Sequence, residues 1–357
     1  MANARVRVGF FSLLILHPAV CGCFNDPVEQ LAVWSEFLTL DEVREHLPVL
    51  AEHGADLYLA VRPDDLNDAL RAFLVDAESA GVAVRPWLQL PEMGIWLNED
   101  NAAEFRAFSG LFLDWADANG IAVEWLIYDI EPAFDYAVAL AQAASNGEIG
   151  AVIELVLSHR DPARYRAALA TMQDMVGDVH ARGVRAMAVT LPWIIDDLSD
   201  GDPDIQDLFD TPFADIPWDE ISVILYRETF EAFFGLPLSP GFVARYAESI
   251  HRRYGEDAQV AIGTISGPGL LTAPGYTDPF DVSLDVSAAR SAGIRSVSLF
   301  SLDGMILAGG VERWLAAASG STLHYAYPDP FASLIRLGFG GLDALLNEDN
   351  AVLSGTP

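Results

Sequence analysis

The 357-residue chain contains no lysine: all twenty basic residues are arginine, set against 52 Asp and Glu, for a formal net charge of −32. So few cations exclude nucleic acid and anionic lipid headgroups as partners, because binding them needs clustered positive charge to displace counterions. Cysteine is nearly absent as well, with only Cys21 and Cys23 near the N-terminus. The rest of the chain can form no disulfide and must rely on a buried core, which a composition 52% hydrophobic can supply. The seven histidines are scattered without metal-ligand spacing, which disfavours a metallohydrolase, and no cofactor is expected.

At the N-terminus Arg5 and Arg7 precede an apolar run, Val8 to Leu16, that is too short to span a bilayer and is broken at Pro18. Val20-Cys21-Gly22-Cys23 then resembles a bacterial lipoprotein signal, with an aliphatic residue three before the lipidated Cys and a small one just before it. Residues 1–23 are therefore read as an export signal with Cys23 as the lipidation site. The protein would be exported and membrane-anchored, touching the membrane through that lipid alone; an ordinary cleaved signal is the alternative.

From residue 31 short apolar, β-branched runs alternate with segments of helical periodicity. The predicted strands are Leu31 to Phe37, Ala55 to Val61, Val82 to Leu90, Val123 to Asp129, Val184 to Leu191, Glu220 to Tyr226, Ala258 to Ile265 and Ile294 to Ser301. Glycine at 54, 81, 120, 183 and 293 marks the helix-to-strand turns. Between the strands, apolar spacings such as Val43, Leu47, Leu50 and Leu66, Leu70, Phe73, Leu74 predict helices that coat a parallel sheet. Eight such units, with no Gly-rich phosphate turn after the first strand, predict an α/β fold of the single-domain (β/α)8 TIM barrel type. The barrel is assigned to residues 24–318 and a helical extension packed on it to 319–357. Two long connections, Ala133 to Arg160 and Ile194 to Pro217, follow strand ends and are expected to wall a cleft.

In such a barrel the chemistry sits at the C-terminal strand ends. The fourth strand ends Trp125-Leu126-Ile127-Tyr128-Asp129-Ile130-Glu131-Pro132, and a two-residue period puts Asp129 and Glu131 on one side, facing the mouth. Two acids close together cannot both ionise cheaply, so one should keep a proton near neutral pH and serve as a general acid. A structural pair neutralised by Arg85 or Arg227 is the bland alternative.

These residues resemble the family 18 glycoside hydrolases, the chitinase and endo-N-acetylglucosaminidase group, whose fourth strand ends in D-x-D-x-E. Asp129 and Glu131 match the last two acids, and Ile127 stands where the first would be. Val223-Ile224-Leu225-Tyr226 is similar to the family's sixth-strand run, and Phe300-Ser301-Leu302-Asp303 to its Trp-Ser-x-Asp ending. Arg227 replaces an Asp or Asn, and Arg85-Pro86-Trp87-Leu88-Gln89 lacks the family's Ser-x-Gly-Gly. The resemblance implies a carbohydrate substrate containing N-acetylglucosamine and substrate-assisted hydrolysis. Glu131 would protonate the leaving oxygen, Asp129 would orient the substrate acetamide and Tyr226 would hydrogen-bond it.

Trp87, Trp96, Trp193 and Phe300 are candidates to stack on sugar rings, with Glu36, Gln89, Glu228 and Asp303 as further rim residues. Glu228 could also pair with Glu131 in a two-carboxylate glycosidase. The carboxylates from Asp196 to Asp204 suggest Ca2+ only weakly, since their spacing fits no helix-loop-helix pattern, and a solvated loop is the plainer reading. Two further functions compete with hydrolysis: a surface sugar-binding barrel without turnover, and a scaffold whose acids are closed off by arginine.

Overall fold

The computed structural model describes residues 28–91, 95–198, 203–265, 275–320 and 329–354. The signal segment with Cys23, residues 199–202 of the acidic run and the Tyr325 to Pro328 stretch lie outside the described residues. Eight parallel strands close into a barrel in chain order. They are β1 (Gln30–Ser35), β2 (Ala55–Val61), β3 (Val84–Leu88), β4 (Trp125–Ile130), β5 (Arg185–Thr190), β6 (Glu220–Ile224), β7 (Ala258–Gly263) and β8 (Ser296–Phe300). Closure is made by β1 on β8, with Leu31 opposite Val297 and Val33 opposite Leu299.

The outer layer begins with α1 (Leu40–Glu52), α2 (Asp68–Ala80) and α3 (Ala102–Ala118). α1 starts at a capping box in which Thr39 and Glu42 satisfy each other's backbone N–H groups. α2 stops at Gly81, whose φ of 79° is a left-handed cap that a side chain would strain, and the chain turns directly into β3. Buried faces such as Val43, Leu47, Leu50 and Leu70, Phe73, Ala77 seat these helices on the strands.

The long connection after β4 folds as two helices, α4 (Phe134–Ser145) and α5 (Ile149–His159), before the coating helix α6 (Pro162–Ala181). After β5 come two short helices, α7 (Pro192–Asp197) and α8 (Asp204–Leu208). The remaining helices are α9 (Arg227–Phe234), α10 (Pro240–Tyr254), α11 (Pro279–Ser291), α12 (Leu302–Leu307), α13 (Val311–Ser319) and α14 (Pro330–Ser354). α14 lies in the predicted extension and packs against α7, α8 and α10. Among the described residues no helix is long and apolar enough to cross a membrane.

The barrel interior is layered along its axis. Near the N-terminal ends Arg85 donates to Glu220 at 2.8 Å, while Gln259 Nε2 donates to Glu220 at 3.0 Å and to the Tyr58 hydroxyl at 2.7 Å. The Arg85 guanidinium also lies 4.4 Å from the Trp125 ring centroid. An aromatic layer follows, in which Trp34 meets Tyr58 edge-on at 4.7 Å and Trp87 at 5.0 Å. Two residues further along the strands the polar groups of the mouth begin.

Candidate active site at the barrel mouth

Asp129 and Glu131 line one cavity of about 450 Å3 at the C-terminal mouth. Their partners on β4 point the other way, as the Tyr128 hydroxyl sits 2.8 Å from the Ser109 hydroxyl on α3. The backbone here is fixed by the segment preceding α3. Leu97 N donates to the Asp129 carbonyl at 2.7 Å, and Glu131 N donates to the Leu97 carbonyl at 3.3 Å. This short extra pairing carries the strand geometry two residues past β4 and holds both acids on the inner face.

Glu36, two residues past Trp34, lines the same cavity, as do Tyr226, Phe300, Trp193 and Trp96. Gln89 Nε2 donates to Glu36 at 3.0 Å, so Gln89 supports the cavity from beneath without lining it. Asp303 accepts from the backbone N–H groups of Phe37 at 2.8 Å and Glu36 at 3.3 Å, which fixes the turn that presents Glu36.

Burial and mutual repulsion govern the charges. Asp129 is only 7% exposed, and its Oδ1 is buried without a hydrogen-bond partner among the described residues. Its carboxyl is pushed well up by loss of hydration first, then by the charges of Glu131 and Glu36. Glu131 is raised by burial and then by Glu36. Glu36 is pushed up to about 7, mainly by burial, against the lowering effect of the Gln89 hydrogen bond. The Tyr226 phenol is raised by burial and by Asp129, Glu131 and Glu36, so it stays a neutral donor.

The charge of Arg62 acts on Glu36, lowering its pKa after burial and the Gln89 hydrogen bond, but neither arginine expected to neutralise Asp129 and Glu131 does so. Arg85, the first cation that could have closed them off, engages Glu220 at 2.8 Å at the other end of the barrel. Arg227, the second, turns outward to Asp285, its Nε 2.8 Å from Oδ2. The described residues lining the cavity include no arginine and no histidine. Ile127, where a third acid would stand in a D-x-D-x-E run, is fully buried.

Three other rim candidates do different work. Trp87 does not line the cavity; it is buried in the aromatic layer below, edge-on to Phe300 at 6.5 Å. Glu228 lies in the first turn of α9 beside Arg227 at 3.4 Å and does not line the cavity either. Trp193 does line it, but Phe339 of α14 is stacked on the indole at 5.3 Å, and Phe209 and Phe230 pack around it. Trp193 is therefore part of an aromatic wall, with one of its faces already covered.

The acidic run is engaged by protein groups where it is described. Asp196 accepts from Arg336 at 2.7 Å and Tyr246 at 3.0 Å, and Asp197 from the Ile205 N–H at 2.9 Å and Gln206 at 2.7 Å.

The connection from 133 to 160, expected to wall a cleft, lines the cavity as α4 and α5. Residues that strand-end reasoning missed complete the wall: Phe230, Phe233 and Phe234 on α9, and Phe339 and Leu342 on α14.

No family model matches the chain, and no curated protein matches it. Among solved structures it is similar to a GH18 chitinase from Pseudoalteromonas aurantia, at 10% identity and TM-score 0.48, over 82% of this chain and 99% of that one. It is similar to the spore cortex-lytic enzyme SleL of Bacillus megaterium QM B1551, at 11% identity and TM-score 0.49, over 82% of this chain and 73% of that one. The catalytic domain of a β-amylase from Paenibacillus polymyxa matches at 10% identity and TM-score 0.48, over 84% of this chain and 99% of that one. Sugar epimerases are similar too, so what the neighbours share with this chain is the barrel.

Proposed function

We propose that the protein is a glycoside hydrolase acting on N-acetylglucosamine-containing glycans, with Glu131 as the proton donor. One observation carries this reading: Glu131 and Asp129 enter one cavity side by side, with raised pKa values, and no cation among the described residues that line it. Glu131 gives its proton to the glycosidic oxygen as the bond to the anomeric carbon breaks. The substrate's acetamide oxygen closes on that carbon, with Asp129 orienting the acetamide and Tyr226 donating a hydrogen bond to it. Water then opens the cyclic intermediate and returns a proton to Glu131.

Glu36 favours one variant of this scheme. It lines the cavity whereas Glu228 does not, so a two-carboxylate mechanism would pair Glu131 with Glu36.

The test is hydrolysis of chito-oligosaccharides by the wild type and by Glu131→Gln. A general acid contributes on the order of 10²- to 10⁴-fold, so kcat should fall by that factor. Equal rates in both proteins would remove Glu131 from the mechanism. Binding without turnover in the wild type would establish a sugar-binding barrel in its place.

A further inference from the structure

We propose that the substrate is an amphiphile, a glycoside with a long hydrocarbon chain, whose sugar sits on the acids while the chain lies along the wall made by α4, α5, α9 and α14. The inference rests on the glycosidase reading for the sugar half and on the cavity itself for the other.

The polar groups of the cavity are gathered at one place. Glu36, Asp129, Glu131 and Tyr226 come from strand ends, with Thr264 beside them. Away from this floor the lining is almost wholly hydrocarbon and aromatic: Leu140 and Ala144 from α4, Val156 from α5, Phe233 and Phe234 from α9, and Leu342 from α14. A second or third sugar ring along that wall would bury hydroxyls against side chains that cannot hydrogen-bond them. A hydrocarbon chain meets no such penalty. The volume, about 450 Å3, lies within the range of small-molecule pockets.

The wall continues to the surface. Ile153 and Leu157 on α5 both line the cavity, yet are 49% and 45% exposed. Spaced four apart, they share one helix face with Val156, which also lines the cavity but is buried, so α5 presents an apolar strip that runs from the buried wall to the surface. Such a strip, continuous with an apolar cavity, marks a ligand surface. The described residues lining the floor include no cation that would call for an anionic head.

The experiment measures calorimetric affinity of the Glu131→Gln protein for alkyl N-acetylglucosaminides from methyl to decyl, each below its micelle concentration. Affinity should rise roughly fourfold per added methylene buried. It should flatten along the series in Ile153→Asp/Leu157→Asp, but not in Leu111→Asp, an exposed α3 leucine outside the cavity lining. A decyl glycoside ending in a photoreactive diazirine should label peptides of α4, α5, α9 or α14 in the unsubstituted protein, which needs no folded wall variant. A flat series, an undiminished series in the double variant, or labelling elsewhere would overturn the amphiphile site. The wild type is assayed for hydrolysis of the same glycosides: a steep affinity series without turnover would sink the glycosidase and leave this site standing.

Discussion

Asp129 and Glu131 illustrate at the residue scale how a functional arrangement works against stability. Each binds its proton more tightly in the folded chain, because the cavity removes water and places the acids together. Asp129→Asn removes a buried acid whose Oδ1 has no partner among the described residues, so it should raise Tm at pH 8 while lowering kcat on chito-oligosaccharides; a scanning calorimeter and the same assay check both. Tyr226 is held by its neighbours more than by its own strand. A Cβ built on Gly263 would lie 2.8 Å from the Phe300 carbonyl oxygen and 3.0 Å from Tyr226 Cε1. Gly263→Ala should therefore displace Tyr226 and Phe300 and cut kcat/KM by tenfold or more, with a larger loss than Tyr226→Phe. An unchanged kcat/KM would show that the tyrosine's position does not matter.

At the scale of elements, the α4–α5 hairpin carries half the wall and is fastened by a charged cluster at its far end. His159 closes α5, stacks on Tyr136 at 3.6 Å and places Nδ1 2.6 Å from Asp210. Arg164 of α6 bridges Asp210 and Glu99, with Nε 2.8 Å from Glu99. Both carboxylates are fully buried, and Glu99 is pushed up to about 8 by loss of hydration in spite of that bond. Arg164→Leu would strand the buried Glu99 and leave Asp210 with His159 alone. The cost should be on the order of 2–3 kcal/mol, below that of a fully buried pair because a third of the Arg164 side chain is exposed. Hydrogen exchange should rise first in α5 and the start of α6; protection unchanged there would mean the hairpin is held by its apolar contacts alone.

For the whole molecule, pH and salt act on stability in a predictable direction. Glu36, Glu99, Glu131 and Asp129 all have folded pKa values above their ordinary ones, at about 7 and about 8 for Glu36 and Glu99. A group raised in this way stabilises fully below its unfolded pKa, 4.5 for a glutamate, and loses that contribution as pH climbs through the folded value. Tm should therefore fall between pH 5 and pH 8.5, and the fall should be shallower in Glu131→Gln. The net charge of −32 adds self-repulsion in the same direction, so moderate NaCl should raise Tm at pH 8. A Tm rising toward pH 8.5 would contradict this account of the acids.

The amino-acid sequence by itself determined the barrel, because each βα unit is written locally: a β-branched run, an amphipathic spacing, a glycine where the helix must end. It also placed Asp129 and Glu131 on one side, since strand alternation is a local rule. Strand limits shifted by a residue or two, as at β6, which ends at Ile224 so that Tyr226 can open α9. Tertiary structure alone decided which rim residues meet. Glu36 joins the acids from β1, Asp303 is drawn to the backbone of the β1 turn, and Glu228 and Arg227 turn away with α9. It alone brought α14, distant in the chain, to the cavity that the α4–α5 connection also lines. The physical reason is that a helix's apolar face states that it must be buried, whereas the partner it is buried against depends on how the connections cross the mouth.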